Sequence, residues 1–218
     1  MRNEMSQRRA IGILGGTFDP VHCGHIAIAQ DFKHHLQLDE MRLVPARAPP
    51  HRAQPQASDA DRLAMLRLAT TNTGLLVDER ELQRGGASYT IDTLASLRQE
   101  LGADTALVLC LGQDAFAQLD TWQRWRELTG FAHIAVATRA GQSIALNPAV
   151  RTLLAAHQAS SVQALTNSPA GCIALAQLSQ IPVSSTQVRQ ALASTRTSVD
   201  VHPDVLHYIQ QRGLYSAQ

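Results

Sequence analysis

The sequence predicts an α/β protein in which a parallel sheet is covered by helices on both faces. Three features point there. Short apolar runs recur between stretches with helical spacing, several of these runs are apolar throughout, and the first ends in Gly15-Gly16 just before a helix. Strands that alternate with helices imply right-handed crossovers and therefore parallel pairing. A run that is apolar throughout suits a strand covered on both faces.

The first predicted strand is Ile11-Gly12-Ile13-Leu14. A helix follows from near Cys23, because Ile28, Phe32 and Leu36 repeat at four-residue spacing. Met41 to Val44 is the next strand and leads into a Pro- and Arg-rich loop, Pro45 to Pro55. Asp59 to Ala69 is helical, with Leu63, Leu66 and Ala69 on one apolar face; Leu75-Leu76-Val77 is a short strand. Ile91 to Leu101 is a helix closed by Gly102. Thr105 to Leu111, Phe131 to Ala137 and Cys172 to Leu178 are the remaining strands. The last two helices start near Ser184 and Pro203, and Gly213 stops the final one, with Pro at the entrance and Gly past the exit. This order makes the fold Rossmann-like, a doubly wound parallel sheet. With no internal repeat or linker, the expected organisation is a flexible tail over residues 1–10 and one domain over 11–218. The stretch from Gly141 to Gly171 is the least informative.

Composition narrows the function. The chain has 218 residues, 44% of them hydrophobic and 17% charged, which suits a packed core and argues against disorder. A formal charge of +1 provides no basic field for a nucleic-acid backbone, so phosphate-binding cations must be placed locally. Cys23, Cys110 and Cys172 are odd in number and too far apart for a disulfide framework or a metal knuckle. The polar start, Met1 to Ala10, lacks the apolar stretch of a signal peptide, and no run of about 18 apolar residues exists to cross a bilayer. A reduced, cytoplasmic protein without a membrane partner is expected. There is no Walker A pattern and no Gly-x-Ser-x-Gly elbow.

The chemistry is concentrated in Gly15-Gly16-Thr17-Phe18-Asp19-Pro20-Val21-His22-Cys23-Gly24-His25, where the first strand hands over to the first helix. In an open parallel sheet, ligands bind beyond the carboxyl ends of strands. Two glycines let the backbone approach a phosphate, and free amides at the helix start favour an anion. His22 and His25, three apart on a first helical turn, can face the same side. Two histidines one turn apart can also chelate zinc, but zinc wants further ligands and no Cys or His cluster elsewhere offers them.

A strand, this string and a helix near the amino end resemble the HIGH-type nucleotidyltransferase superfamily, and the whole string resembles its nicotinate-mononucleotide adenylyltransferases. Pantetheine-phosphate adenylyltransferases are similar but usually carry Thr where His22 stands. Pro182-Val183-Ser184-Ser185-Thr186-Gln187-Val188-Arg189 resembles the superfamily's Ile-Ser-Ser-Thr-x-Ile-Arg motif, although the second Arg that often follows is Ala191 here. Ser184 and Gln187 also form a capping-box pattern. Pro49-Pro50-His51-Arg52 is similar to the family's Pro-Pro-His-Lys loop. Ser88 to Leu94 is similar to its pyridine-binding stretch, and Leu111-Gly112-Gln113-Asp114 with Trp122 to its ribose and ring contacts. Arg139 stands where the family has an Arg-Pro-Gly turn, with Ala140 replacing Pro.

The resemblance implies a transfer of AMP from ATP to nicotinate mononucleotide, giving deamido-NAD and pyrophosphate in NAD biosynthesis. It implies an ATP site of Gly15, Gly16, Thr17, Phe18, His22, His25, Ser184, Ser185, Thr186 and Arg189, with His22, His25 and Arg189 catalytic. It implies a mononucleotide site of His51, Arg52, Tyr89, Thr90, Asp114, Trp122 and Arg139, the amides of Tyr89 and Thr90 accepting the nicotinate carboxylate. Trp125 is expected in the core. Mg²⁺ is expected to arrive with ATP rather than at a protein metal site. Three alternatives stay open: nicotinamide mononucleotide as acceptor, phosphopantetheine as acceptor, and a non-catalytic nucleotide sensor. Assembly, a homo-oligomer included, is also open.

Overall fold

The structure is a computed structural model that describes residues 8–47, 54–138, 144–178, 181–194 and 199–216. Its strands are β1 (Ala10–Gly16), β2 (Glu40–Pro45), β3 (Leu76–Val77), β4 (Ala106–Gly112), β5 (His133–Thr138) and β6 (Ile173–Gln177). Its helices are α1 (Cys23–His35), α2 (Asp59–Thr70), α3 (Arg80–Arg84), α4 (Thr90–Leu101), α5 (Gln113–Ala117), α6 (Leu128–Phe131), α7 (Pro148–His157), α8 (Ser185–Ala193) and α9 (Pro203–Arg212). Single 3₁₀ turns lie at Leu119–Thr121, Trp125–Glu127 and Val162–Thr166.

The strands form one sheet in the order β3-β2-β1-β4-β5-β6, and β1–β4, β4–β5, β5–β6 and β2–β3 pair in parallel. The doubly wound α/β fold expected from the alternation is therefore present. Strand order reverses between β1 and β4, the place in such sheets where ligands sit beyond the carboxyl ends.

Contacts group the residues into two compact units. One comprises Met1–Leu14, Phe32–Met41 and Tyr89–Leu178. In it, Ala10 to Ile13 pair with Ala106 to Leu109, and β5 lies between β4 and β6. Ile11, Ile13, Leu107, Val108, Ile134 and Val136 are all buried, as are Leu94 and Leu97 of α4. Arg98 holds this unit's loop ends together. Its guanidinium donates to the carbonyls of Thr105 (2.6 Å), Phe131 (2.6 Å), Gly102 (3.0 Å) and Pro169 (3.0 Å). His133 is wholly buried yet satisfied, for the Cys172 amide donates to Nδ1 (3.1 Å) and Nε2 lies 2.7 Å from the Ser168 carbonyl. Nδ1 must be bare to accept, so Nε2 carries the proton, and burial pushes the ring's pKa down.

The other unit comprises Gly15–Asp31, Arg42–Ser88 and Ser179–Gln218. Here α2 packs on α9 through Asp61, which accepts from Ser58 Oγ (2.6 Å), Tyr208 Oη (2.9 Å) and Arg212 Nε (3.2 Å). The Ser58 hydroxyl, with Tyr208 and Arg212, holds that carboxyl below its ordinary pKa against the opposing effect of burial. Arg62, wholly buried, donates to the Thr17 carbonyl (2.6 Å) and to Asp59 (2.6 Å), so a buried charge is paired and bonded.

Most element boundaries agree with the sequence to within two residues. The start of β5 shows that full offset, because Phe131 closes the single turn of α6 and the strand begins only at His133. α7 lies in the stretch that carried least information, although Asn147 caps it and Pro148 occupies its first turn.

Replacing Arg98 with Met keeps the aliphatic stem but strands the loop carbonyls. Arg98→Met is expected to lower the unfolding free energy by about 3 kcal/mol, the scale of losing charged hydrogen bonds. Urea denaturation checks this, and a loss below about 0.5 kcal/mol would contradict the role.

Candidate active site

β1 ends at Gly15-Gly16, and each glycine has its own reason. A Cβ on Gly15 would meet nothing within 4 Å among the described residues, which leaves space there where a ligand can approach. A Cβ on Gly16 would lie 2.9 Å from the ring of Phe18. Phe18 is 1% exposed and holds a left-handed φ of 50°. Its side chain thus turns inward, and its ring meets His25 edge to face, centroids 4.9 Å apart. The Phe18 side chain thus supports His25.

His22 and His25 are stacked, with centroids 3.6 Å apart and planes 24° from parallel. The turn that brings them together is closed by the His25 amide donating to the His22 carbonyl (2.9 Å). In return the His22 amide donates to Nδ1 of His25 (3.3 Å). An amide can only donate, so this Nδ1 is bare and the neutral ring carries its proton on Nε2. Nδ1 of His22 is buried without a partner, beside Gly24. A bare nitrogen tolerates that better than an N–H does, which assigns Nε2–H to His22 as well. Burial, against the opposing pull of Asp200, pushes the His22 pKa down to about 4. The pair is therefore two neutral rings, each with a single N–H donor on Nε2.

Gly24 completes the pair. A Cβ there would lie 2.7 Å from Val183 Cγ1 and 3.1 Å from His22 Nδ1, so only glycine lets the segment before α8 pass this close. At the head of α1, the Cys23 amide donates to the Asp200 carbonyl (2.9 Å).

α8 opens with the capping box anticipated from the sequence: the Ser184 hydroxyl accepts from the Gln187 amide, and Gln187 Oε1 accepts from the Ser184 amide. The Ser185 hydroxyl donates to the Pro20 carbonyl (3.0 Å), and Thr186 Oγ1 accepts from Arg189 (3.3 Å). The hydroxyls of Ser184 and Ser185 are thus engaged within the protein, and what this helix start offers an anion is chiefly its amides. Arg189 also donates to the Asp19 carbonyl (2.6 Å).

Asp19 is the residue that sequence reasoning passed over. Its carboxylate is buried and accepts from the Gln56 amide (2.8 Å), the Ala57 amide (3.1 Å) and Tyr215 Oη (2.6 Å). It pins the exit of the Pro-rich loop and the turn that follows α9 to the motif. Its place inside the string was visible; donors 37 to 196 residues away were not.

In the first unit, Asp114 lies in the first turn of α5 and is exposed, Trp122 is half-buried just after a 3₁₀ turn, and Trp125 is buried as expected. Tyr89 is the N-cap residue of α4 and makes no side-chain cap bond, unlike Ser58 at α2 and Ser184 at α8. His51, Arg52 and Arg139 lie outside the described residues. Among the described residues no three His, Cys, Asp or Glu side chains group to hold a metal ion.

A glycine turn leaving a parallel sheet at its order reversal, followed by stacked imidazoles at a helix start, defines a nucleotide-handling α/β protein. The chain belongs to the cytidylyltransferase-like family, whose model matches residues 13–191, and it is similar over nearly its whole length to proteins named as nicotinate-nucleotide adenylyltransferases. A Cellvibrio japonicus protein named "Probable nicotinate-nucleotide adenylyltransferase" is 46% identical over 95% of this chain and 99% of its own. A Pseudomonas fluorescens protein of the same name is 49% identical over 96% and 98%. In fold, the chain is similar to the solved structure of Plasmodium falciparum nicotinic acid mononucleotide adenylyltransferase complexed with NaAD. The TM-score is 0.71 at 17% identity, over 95% of this chain and 98% of that one.

The depressed His22 pKa has a consequence for stability. In the unfolded chain the ring ionises near 6.5, and in the folded chain near 4. Between those values the unfolded state binds a proton that the folded state refuses, so stability falls as pH drops through this window. Between pH 7.5 and 4.5 the wild type should lose about 2 kcal/mol more than His22→Asn. Urea unfolding at the two pH values measures this, and equal losses would contradict it.

Proposed function

We propose that this protein transfers the AMP of ATP to nicotinate mononucleotide, releasing pyrophosphate and forming nicotinate adenine dinucleotide. The observation that carries the reading is the pair of stacked neutral imidazoles beside an open glycine turn, in a chain nearly half identical to proteins of that name.

The attacking group is the 5′-phosphate of the mononucleotide, which strikes the α-phosphorus in line as pyrophosphate leaves. A phosphate monoester has its second pKa at about 6 and is largely ionised at neutral pH. It needs no general base, which fits a motif whose one carboxylate, Asp19, is occupied by protein donors. What the reaction needs is alignment and donors for charge developing on phosphate oxygens. Nε2–H of His22 and of His25 would donate to the α- and β-phosphates. The amides of Gly15, Gly16 and Thr17 would line the turn, and the amides at Ser185 and Thr186 would hold the outer phosphates. Arg189 uses two of its five N–H donors on Asp19 and Thr186, and the others would close on those phosphates.

On the acceptor side, the α4 start lacks a side-chain cap, which favours a carboxylate at the amides of Tyr89 and Thr90. Asp114 would hold a ribose hydroxyl, and Trp122 would stack on the pyridine ring. His51, Arg52 and Arg139 complete this proposal from the sequence.

Mg²⁺ fits as an ion carried by ATP, ligated by phosphates and water, since it keeps its waters and needs few protein ligands. Bound there, it would neutralise phosphate charge. Among the described residues no helix is long and apolar enough to cross a membrane. We place the enzyme in the cytoplasm, in keeping with its three free cysteines.

His25→Ala is expected to lower kcat by about a hundredfold or more, as loss of a transition-state donor does. Pyrophosphate release with ATP and nicotinate mononucleotide, nicotinamide mononucleotide or phosphopantetheine in turn tests the acceptor. The first should give the highest kcat/KM; silence with all three would point to a nucleotide sensor and overturn the reading.

A further inference from the structure

We propose that Tyr215 is a positioning residue for the ATP site: its hydroxyl, by satisfying Asp19, leaves Arg189 free to bind phosphate. The inference rests on the phosphate role given to Arg189 above.

Four bonds and one distance carry it. Asp19 Oδ1 accepts from Tyr215 Oη at 2.6 Å and from the Ala57 amide at 3.1 Å, and Oδ2 accepts from the Gln56 amide at 2.8 Å. Arg189 donates instead to the backbone carbonyl of Asp19 at 2.6 Å, and its guanidinium stays 3.8 Å from Oδ2. So a full cation and a buried carboxylate sit side by side without a short bond between them. Three of the carboxylate's roughly four acceptor sites are taken by donors that are not Arg189. Asp19 therefore orients the guanidinium through its carbonyl while its own charge is engaged elsewhere.

Tyr215 supplies the strongest of those donors by distance, from the last turn of the chain. The Leu214 amide anchors that turn on the Ile209 carbonyl (3.0 Å), and Gly213 ends α9 in the left-handed region. Tyr215 itself holds a left-handed φ of 59°, an uncommon conformation for a residue with a side chain, and this conformation accompanies the hydroxyl's reach into the motif. Burial first, and then Asp19, push the phenol's pKa up, so the group stays a donor across the working pH range.

Removing the hydroxyl leaves a buried carboxylate short of one donor. An unmet buried acceptor is costly, and the guanidinium beside it is the nearest remedy. Arg189 then closes from its 3.8 Å ion-pair distance to a direct hydrogen bond with the Asp19 carboxylate and is withdrawn from the phosphates. A structural role alone would weaken both substrates together or neither. The positioning role weakens ATP only.

The test is calorimetric titration of ATP and, separately, of nicotinate mononucleotide into wild type, Tyr215→Phe, Arg189→Ala and the double variant. Tyr215→Phe should raise the Kd of ATP roughly tenfold and leave that of the mononucleotide unchanged. In the Arg189→Ala background the same change should add nothing, because the residue it acts through is gone. An unchanged ATP Kd in Tyr215→Phe, or additive effects, would overturn the inference while leaving Arg189 its role. If Arg189→Ala itself binds ATP normally, the phosphate role fails and the inference with it. Tyr215→Phe keeps the ring and its packing; should it melt below the assay temperature, the titrations are run at about 10 °C, where its folded fraction is restored.

Discussion

The amide of His22 can only donate, so its bond to Nδ1 of His25 obliges that ring to carry its proton on Nε2. Around this bond the motif arranges itself. Gly16 makes room for Phe18, Phe18 braces His25 edge-on, and His25 lies flat against His22. Gly24 lets Val183 and the His22 ring come together. Gly16 and Gly24 are thus explained by contact with a ring rather than by flexibility in general. The product is a pair of fixed donors, which is what a transferring phosphate requires when its attacker is already ionised.

Neutrality of the pair has a cost and a use. Burial keeps His22 uncharged at neutral pH, so the protein gives up stability in acid to retain a bare, oriented ring. Two imidazolium ions 3.6 Å apart would also repel strongly at low effective dielectric. In the proposed reaction, positive charge for the phosphates would come separately from Arg189, which lies on another element and donates to the Asp19 carbonyl. Donation and charge neutralisation are in this way divided between groups that do not compete.

Much of this was legible in the residues. Alternation of apolar runs with helical spacing gave the sheet and its helices, since β4 and β5 are buried along nearly their whole length. The string from Gly15 to His25 gave the imidazole pair because a helical turn brings positions three apart to one side. The capping box at Ser184 and Gln187 was equally local. What escaped was long-range. Asp19 reads as a turn residue until Gln56, Ala57 and Tyr215 are seen to meet it. Arg62 reads as a solvated helix residue, yet it is fully buried against the Thr17 carbonyl. The bond from the Ser185 hydroxyl to the Pro20 carbonyl was equally out of reach, because nothing near Ser185 in sequence names Pro20 as a partner. α7 was local too, since Asn147-Pro148 is a start signal and Val150 and Leu153 lie on its buried face, yet it was not read.

Nitrogen-15 NMR of the histidine side chains tests the central claim most directly, because it reports which ring nitrogen holds the proton. At neutral pH, His22 and His25 should both show the neutral Nε2–H pattern, and ATP should shift their Nε2 signals while leaving Nδ1 of His25 bonded as before. A cationic ring, an Nδ1–H tautomer at either position, or Nε2 signals indifferent to ATP would contradict the account.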